Sequence, residues 1–481
     1  MMVIEMKKLA EIVTLVIIIS FTGCAMGPDF KKPVLETPDN FRFSDSESKE
    51  VVNLNWWELF DDPVLYSLVV TALMNNKDLM IAASRIEEAR AALGFTKADQ
   101  YPRLDIEAGA AVGNYLGISR SSTTDKYAFI APVLSWEIDF WGKYRRSTQA
   151  ARAELMASEY SLKTVQLSLI SEIVSTYFLL LDYHQRLRLS KQTLVSRLGS
   201  LDIIQKRFDK GIIPEIDLNQ AQIQKEIAAG AIPLYQRLIA NTENALSILM
   251  GKFPGEIKTG DDLNQQTVPP DIPGGLPSSI LERRPDIAEA MYLLEAQTAR
   301  IGIAQALRLP SITLTGLFGV ASSELSSIST DGTVWSVGGS LLGPIFDFKK
   351  SRQRVEIEKE RTQQALYRYE NRVLLAFREV SDALNDIQTY KEQISTVERK
   401  LKAAENAARL SNMRYDKGVT SYLEVLDTER TLFDVELELS QLKQEFYNAY
   451  VRLYKALGGG WLTKSEMEQV QHQPEAQKKQ P

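Results

Sequence analysis

The feature that most constrains this chain is that it is written twice at a fixed offset. KDLMIAASRIEEARAALGFTKADQYPRLDI at 77–106 aligns with PDIAEAMYLLEAQTARIGIAQALRLPSITL at 285–314. Asp78 meets Asp286, Glu87 meets Glu295, Gly94 meets Gly302 and Pro102 meets Pro310, each pair 208 residues apart. The same offset carries EIDFWGK (137–143) onto IFDFKKS (345–351), placing Asp139 on Asp347. After a slip of one residue, RFDKGIIPEIDLNQ (207–220) matches RYDKGVTSYLEVLD (414–427) at an offset of 207. Chance similarity does not hold one register over such a span, so the chain reads as a tandem duplication.

Each copy has the same order of elements. A helical stretch is broken at Tyr101-Pro102 or Leu309-Pro310, because proline ends helices and biases its predecessor to extended backbone. Two strand-like segments follow, about 102–140 in one copy and about 310–348 in the other. A very long helical stretch comes next, then a turn near Gly211 or Gly418, then a returning helix. The predicted organisation is therefore 24–60 as an N-terminal extension, 61–252 as the first repeat and 278–460 as the second. Residues 253–277, rich in Pro, Gly and Asp, form a linker, and 461–481 a polar tail.

The strand segments carry one apolar face. Leu104, Ile106, Ala108, Ala110 and Val112 share one parity, opposite Asp105, Glu107 and Gly109. In the second segment, Tyr127–Asp139, Ile130, Leu134, Trp136 and Ile138 stand opposite Ser135, Glu137 and Asp139. Ser311–Val320 and Val334–Phe346 are their counterparts, and SRSSTTD and SSELSSISTDG are read as the joining loops. Segments of about ten residues suit tilted membrane strands. The pattern equally fits two β-hairpins on a soluble domain, and Pro132 weakens its strand. Four strands cannot close a barrel, which needs about eight, but three chains would supply enough.

From Arg145 to Lys210 there is no proline, which allows a helix of about 100 Å. Apolar residues recur every seventh position: Ile173, Leu180, Leu187, Leu194, Leu201 and Phe208. Their counterparts 207 residues on are Val380, Ile387, Ile394, Leu401, Ala408 and Tyr415. A sustained seven-residue period predicts coiled-coil packing. The companion row of the second seam reads Phe377, Leu384, Lys391, Glu398 and Glu405, which predicts helices opening toward solvent or a lumen near the turn.

Residues 1–23 form a targeting segment. Lys7 and Lys8 precede LAEIVTLVIIIS, an apolar run too short to span a bilayer but suited to the core of a signal peptide. FTGC then resembles a bacterial lipobox, in which Cys24 receives lipid and becomes the mature N-terminus. Phe21 stands where leucine is usual and Thr22 where serine or alanine is usual. Ala25, not aspartate, follows the cysteine, which by resemblance favours the outer membrane. An ordinary signal peptide with a chance cysteine is the alternative.

The residue inventory opposes several function classes. One cysteine excludes an internal disulfide or a zinc-finger cluster, and two histidines, His184 and His472, make a His-based triad or metal site untenable. There is no GxxxxGK[ST] phosphate loop. Lys and Arg number 56 against 62 Asp and Glu, without a dense basic stripe, so no nucleic-acid partner is expected. An enzyme is not expected, and no cofactor.

GPDFKKP (27–33), NWWELFDDPVL (55–65), LERRPDIAEA (281–290), SYLEVLD (421–427) and YKALGGGW (454–461), with the lipobox and the duplication, resemble the TolC-type outer-membrane factor family. The likeness is to its lipoprotein branch (OprM/CusC-like, NodT-type) and covers nearly all of 24–461. It implies an α+β membrane protein: a homotrimer whose 12-stranded outer-membrane β-barrel continues into a periplasmic α-helical coiled-coil barrel. It implies the exit duct of a tripartite efflux pump, lying in outer-membrane lipid. A periplasmic adaptor, or membrane fusion protein, would join it to an inner-membrane RND-type transporter. A duct for protein secretion and a lipid-anchored periplasmic scaffold without a pore are the rival readings.

The resemblance also assigns residues. Asp217, Glu424 and Asp427 fall on acidic positions that ring the pore at the helix tips, where a divalent cation could block. Glu424 and Asp427 are three apart, hence on one helix face. Acids in the first turn of a helix are also favoured by its dipole alone. Tyr415 falls on a tyrosine that holds the tips closed, whereas Thr420 stands where TolC itself has an arginine, so an identical salt-bridge latch is not implied. Gly211 and Gly418 mark the reversals. Nothing in the sequence names the cargo.

Overall fold

The computed structural model describes residues 25–36, 38, 56–116, 119–269, 283–322 and 332–459. Cys24, the signal segment, residues 270–277 of the linker, most of the expected loop SSELSSISTDG and the C-terminal tail lie outside the described residues. After a short 3-10 turn at Trp56–Phe60, the elements are α1 (Pro63–Asn75), α2 (Lys77–Ala98), β1 (Arg103–Leu116), β2 (Ser119–Ile138), α3 (Lys143–Asp209) and α4 (Glu215–Leu249). The second series is α5 (Pro285–Ala306), β3 (Ser311–Ser322), β4 (Thr333–Leu342), α6 (Lys350–Asp416) and α7 (Tyr422–Ala456). Corresponding helices have equal lengths: 22 residues for α2 and α5, 67 for α3 and α6, 35 for α4 and α7.

The chain forms two compact units that cut across the sequence halves. One takes Met1–Val34, Ser84–Glu159 and Glu289–Glu370, and the other Leu35–Ala83, Tyr160–Ala288 and Asn371–Pro481. Each therefore draws on both copies of the sequence.

The first unit contains the sheet, a single antiparallel layer in the order β1-β2-β3-β4. Its register brings the apolar parity of every strand to one face. Leu104 pairs with Leu134, Ile130 with Val320, Trp136 with Leu314, and Phe318 with Trp335. That face is uncovered: Ile106 is 76% exposed, Trp335 72% and Val337 79%. Arg103, Asp105, Glu137 and Thr313 take the opposite parity.

Two strand expectations change. SRSSTTD does not form a loop; it is the start of β2, where Ser119 pairs with Leu116 and Arg120 with Tyr115. Hydroxyl-rich sequence reads as a turn, but here the partner strand overrides that preference. The fourth strand ends at Leu342 rather than Phe346. Pro132 lies in an inner strand, opposite Ile106 of β1. On the other side, pairing with β3 passes from Ile130–Val320 to Val133–Leu317, so the missing N–H falls where the ladder lapses. Gly319 sits at this lapse, where a Cβ would fall 2.4 Å from the Ile130 carbonyl oxygen.

The second unit is a helical assembly with an aromatic core. Trp56, Phe60, Tyr177, Phe178 and Tyr450 are almost fully buried in it. Asp62 begins α1 as its N-cap: Oδ1 accepts from the N–H groups of Val64 and Leu65 at 2.8 and 3.1 Å, with Pro63 in the first helical position. Its Oδ2 accepts from Tyr177 Oη at 2.6 Å and Gln266 Nε2 at 2.9 Å, and the Tyr177 hydroxyl accepts from Gly260 N at 3.0 Å. One carboxylate thus caps a helix and fastens the linker. Burial pushes the Tyr177 hydroxyl far up, with the Asp62 hydrogen bond adding to it.

The quoted motifs at the two ends of the second copy meet at Arg284. Its guanidinium grips Asp286 at 3.0 and 2.8 Å, reaches Glu379 at 2.8 Å, and donates to the Ala456 carbonyl at 2.9 Å. Trp56 stacks on Tyr454 at 5.5 Å between ring centres and donates to the Gly459 carbonyl at 3.2 Å. The long helices keep the seven-residue seam, with Ile173, Leu180 and Val380 fully buried. An apolar stretch of α3 is long enough to cross a membrane by length and composition, but 61% of it is buried among its neighbours, as a packed seam requires.

The companion row is displaced by one residue from the sequence expectation. Ala376, Ala383, Val397, Ala404 and Ser411 are buried, while Lys391, Glu398 and Glu405 face outward. The buried side chains there are mostly small, so large apolar residues do not mark the row.

Candidate functional site: the paired helix tips

The phrase that the chain repeats is a helix terminator. In the first copy Gly211 has φ +68°, its N–H donates to the Phe208 carbonyl at 2.7 Å, and Ile212 N donates to Arg207 O at 3.0 Å. In the second, Gly418 has φ +71°, and its N–H donates to Tyr415 O at 2.9 Å while Val419 N donates to Arg414 O at 3.0 Å. Both are Schellman turns, which place the residue after the helix in the left-handed region and so favour glycine. Pro214 and Ser421, both extended, then start the returning helices.

The two tips share one small core. Ile204, Leu218 and Ala221 of the first hairpin cluster with Tyr422, Val425 and Leu426 of the second. Phe208 and Tyr415, the aromatic residues of the two phrases, pack at its margin. The Tyr415 ring lies 5.3 Å from that of Tyr422, and its buried hydroxyl has no hydrogen-bond partner among the described residues.

The charged residues of the phrases form cross-contacts. Arg207 of the first hairpin pairs with Asp416 of the second at 3.0 Å, and its guanidinium lies 4.8 Å from the centre of the Tyr415 ring. Arg414 pairs with Glu424 at 3.4 Å, and Thr420 donates its hydroxyl to the same carboxylate. Asp427 is exposed and pairs with Arg430 on its own helix at 2.8 Å. Asp217 is half-buried, and burial raises its carboxyl above the usual range. Burial also pushes the neighbouring Tyr422 hydroxyl up to about 12, opposed by Arg197 and reinforced by Tyr415 and Asp217.

Deeper along the hairpins is a buried polar node. Arg197 of α3, 5% exposed, pairs with Glu429 of α7, 12% exposed. Asn412 of α6 donates to Glu429 at 3.0 Å, and the hydroxyls of Ser411 and Thr428 meet at 2.6 Å. Burial lowers the Arg197 guanidinium below its ordinary value.

The structure thus brings Asp217, Tyr415, Thr420 and Glu424 to one end of the helical unit, with Asp427 one turn beyond Glu424. Five charged residues there are not among the sequence expectations: Arg197, Arg207, Arg414, Asp416 and Glu429. Arg207 and Arg414 open the two phrases themselves, so their duplication was an available signal. Arg197 and Glu429 had none, because their pairing depends on helices 232 residues apart in sequence.

A sheet with one uncovered apolar face and two paired helical hairpins are the elements of an α+β outer-membrane channel of the TolC type. The comparisons with known proteins agree. The outer membrane efflux protein family model matches twice, over residues 68–252 and 276–459. The cation efflux system protein CusC of Escherichia coli O6:H1 is 33% identical over 92% of this chain and 97% of its own length. The solvent efflux pump outer membrane protein SrpC of Pseudomonas putida is 34% identical over 91% of this chain and 96% of its own. The solved structure of the outer-membrane channel OprN superposes with a TM-score of 0.84 at 30% identity, covering 91% of this chain and all of that one. The chain belongs to the outer membrane efflux protein family, whose members are channels of the Gram-negative outer membrane rather than enzymes.

Proposed function

We propose that this chain is the exit duct of a tripartite efflux pump, assembled as a homotrimer in which three four-stranded sheets close one twelve-stranded barrel. The observation that carries this is the sheet itself. It has one exposed apolar face and two unpaired edges, β1 and β4, and four strands cannot close alone. Lipid at Cys24 would tether the mature chain to the outer membrane. Residues 61–252 and 278–460 are copies of one ancestral unit joined by the linker 253–277, a reading supported by the equal helix lengths.

The tips form the periplasmic gate. Tyr415 and the Arg207–Asp416 and Arg414–Glu424 pairs hold them together, Thr420 supporting Glu424 where the arginine of TolC is missing. Three-fold symmetry brings Asp217, Glu424 and Asp427 toward a common axis, where carboxylates attract cations. A periplasmic adaptor and an RND-type inner-membrane transporter complete the pump, and small molecules are the cargo. The assembly is tested by native mass spectrometry of the detergent-purified protein with electrophoresis before and after heating. The reading expects a three-chain mass that collapses to one chain on boiling. A monomer at all concentrations would overturn it.

A further inference from the structure

The segment that follows Cys24 is seated in a built groove of the first unit. Met26 N donates to the Trp141 carbonyl at 3.1 Å. Arg146, 5% exposed, captures the strand from its other side: Nε donates to Met26 O at 2.9 Å, and Nη2 to Gly27 O at 3.1 Å and Asp29 Oδ1 at 2.9 Å. Its remaining nitrogen, Nη1, is held by Gln149 Oε1 at 2.8 Å, which fixes the guanidinium plane.

Backbone meets backbone in this seat. A Cβ on Gly27, whose φ is +92°, would fall 2.4 Å from Gly302 Cα. One on Gly302 would fall 2.5 Å from Met26 O, and one on Gly142 would fall 2.7 Å from Ala25 Cα. Three glycines are thus required for a fit that no other residue type allows. Gly94, the counterpart of Gly302 in the first copy, has open space around it. The close approach at Gly302 is therefore not a by-product of the duplication. A few residues on, at Val34, the strand is 95% exposed. The backbone contacts with Arg146 and Trp141 fall at Met26 and Gly27, close behind Cys24.

We infer that Arg146 and the Gly27–Gly302–Gly142 contacts form the positioning seat of the lipid anchor. They hold Met26, two residues from Cys24, at Trp141, three residues past the end of β2, rather than leaving this segment as a free tether. The ligand class is a thioether-linked diacylglyceryl group and its amide-linked acyl chain at Cys24, so the inference rests on the lipoprotein reading above. An unseated strand would swing through a radius of about 3.5 Å per freed residue. Seating it keeps the acyl chains and the unclosed strand edges together, which raises the effective concentration of strands at the bilayer. Arg146 is a positioning residue here, acting on backbone and not on lipid.

The test uses the full-length lipoprotein in outer-membrane vesicles. A nitroxide is attached through Lys31→Cys, two residues beyond Asp29 and exposed. Electron paramagnetic resonance reads its mobility, palmitate incorporation reads acylation, and the rate of heat-stable oligomer formation reads assembly. We expect a restricted label with the seat intact. Arg146→Ala and Gly302→Leu should give a mobile label, unchanged acylation and assembly slowed about tenfold. Asp29→Asn, which spares the backbone contacts, should give a smaller change in the same direction and guards against a folding failure. Cys24→Ser should slow assembly to the same degree while the label stays restricted. A mobile label with the seat intact, or a released strand with an unchanged assembly rate, overturns the inference. Absence of palmitate beside a restricted label overturns the lipoprotein reading, and with it the anchor role, while the seat itself stands.

Discussion

Glu429→Ala should be among the most damaging single substitutions in the helical hairpins. It removes the partner of Arg197, whose side chain is 5% exposed, and the acceptor of Asn412. A cation left unpaired at such burial costs about 3–5 kcal/mol, well above the roughly 0–1 kcal/mol of a surface pair. At about 1.4 kcal/mol per tenfold, the opening equilibrium of this region should shift by two to more than three orders of magnitude. The leucine pair Arg197→Leu/Glu429→Leu should behave differently. Both charges leave together, and stability should return to within about 1 kcal/mol of the parent or exceed it, because a packed apolar pair avoids the desolvation cost. The assay is hydrogen exchange of segments 190–204 and 422–432 in the purified protein, with denaturant unfolding of the same variants. A loss below about 0.5 kcal/mol for Glu429→Ala, or a leucine pair as damaged as the two single variants combined, would refute the reasoning.

Three further outcomes follow from the same geometry. Arg207→Ala removes a partly exposed pair with Asp416 and the contact with the Tyr415 ring, together about 1–2 kcal/mol per chain, so opening of each tip should become about five- to thirtyfold more favourable, read as a higher open probability in planar bilayers. An unchanged open probability would remove Arg207 from the gate. Gly418→Ala should destabilise the second tip by about 1–2 kcal/mol, because φ is +71° and no neighbour lies close enough to clash; thermal unfolding should show a smaller loss for Gly418→Asn. Burial pushes the Asp286 carboxyl up, but the hydrogen-bonded Arg284 charge outweighs it and holds the group below the usual range. Its stabilisation is therefore present above the unfolded value of about 3.9 and is lost as pH falls through the depressed folded value. Asp286→Asn should flatten the acid limb of the stability profile; a limb of unchanged steepness would contradict that assignment.

Much of the fold was legible because duplication doubled every signal. The proline breaks recur 208 residues apart, the seven-residue seam and the two glycine turns 207 apart, and the helices follow them. The strand parities were also legible, since Leu104, Ile106 and Trp136 each stand between polar residues and the register places them on one face. The first residues of β2 were not, because Ser and Thr favour turns locally and only pairing with Tyr115 and Leu116 makes them a strand. The companion row of the coiled coil escaped because Ala383, Ala404 and Ser411, though buried, are small and do not stand out in an apolar pattern. At the tips, the acids were found but their counter-charges were not. Glu424 reads as a free pore acid until Arg414 and Thr420 are seen beside it. Buried Asp182 escaped similarly, since its partners Arg186 and Ser440 lie on two helices.

The proposed duct is an oligomer of this chain that conducts and is gated by its acid-bearing tips. Single-channel recording of the purified oligomer in planar bilayers tests it most directly, alone and as Glu424→Ala/Asp427→Ala. Discrete, cation-selective conductance steps are expected, with selectivity and divalent block both weakened in the double variant. An oligomer that gives no steps, or a variant with unchanged selectivity and divalent block, would contradict it.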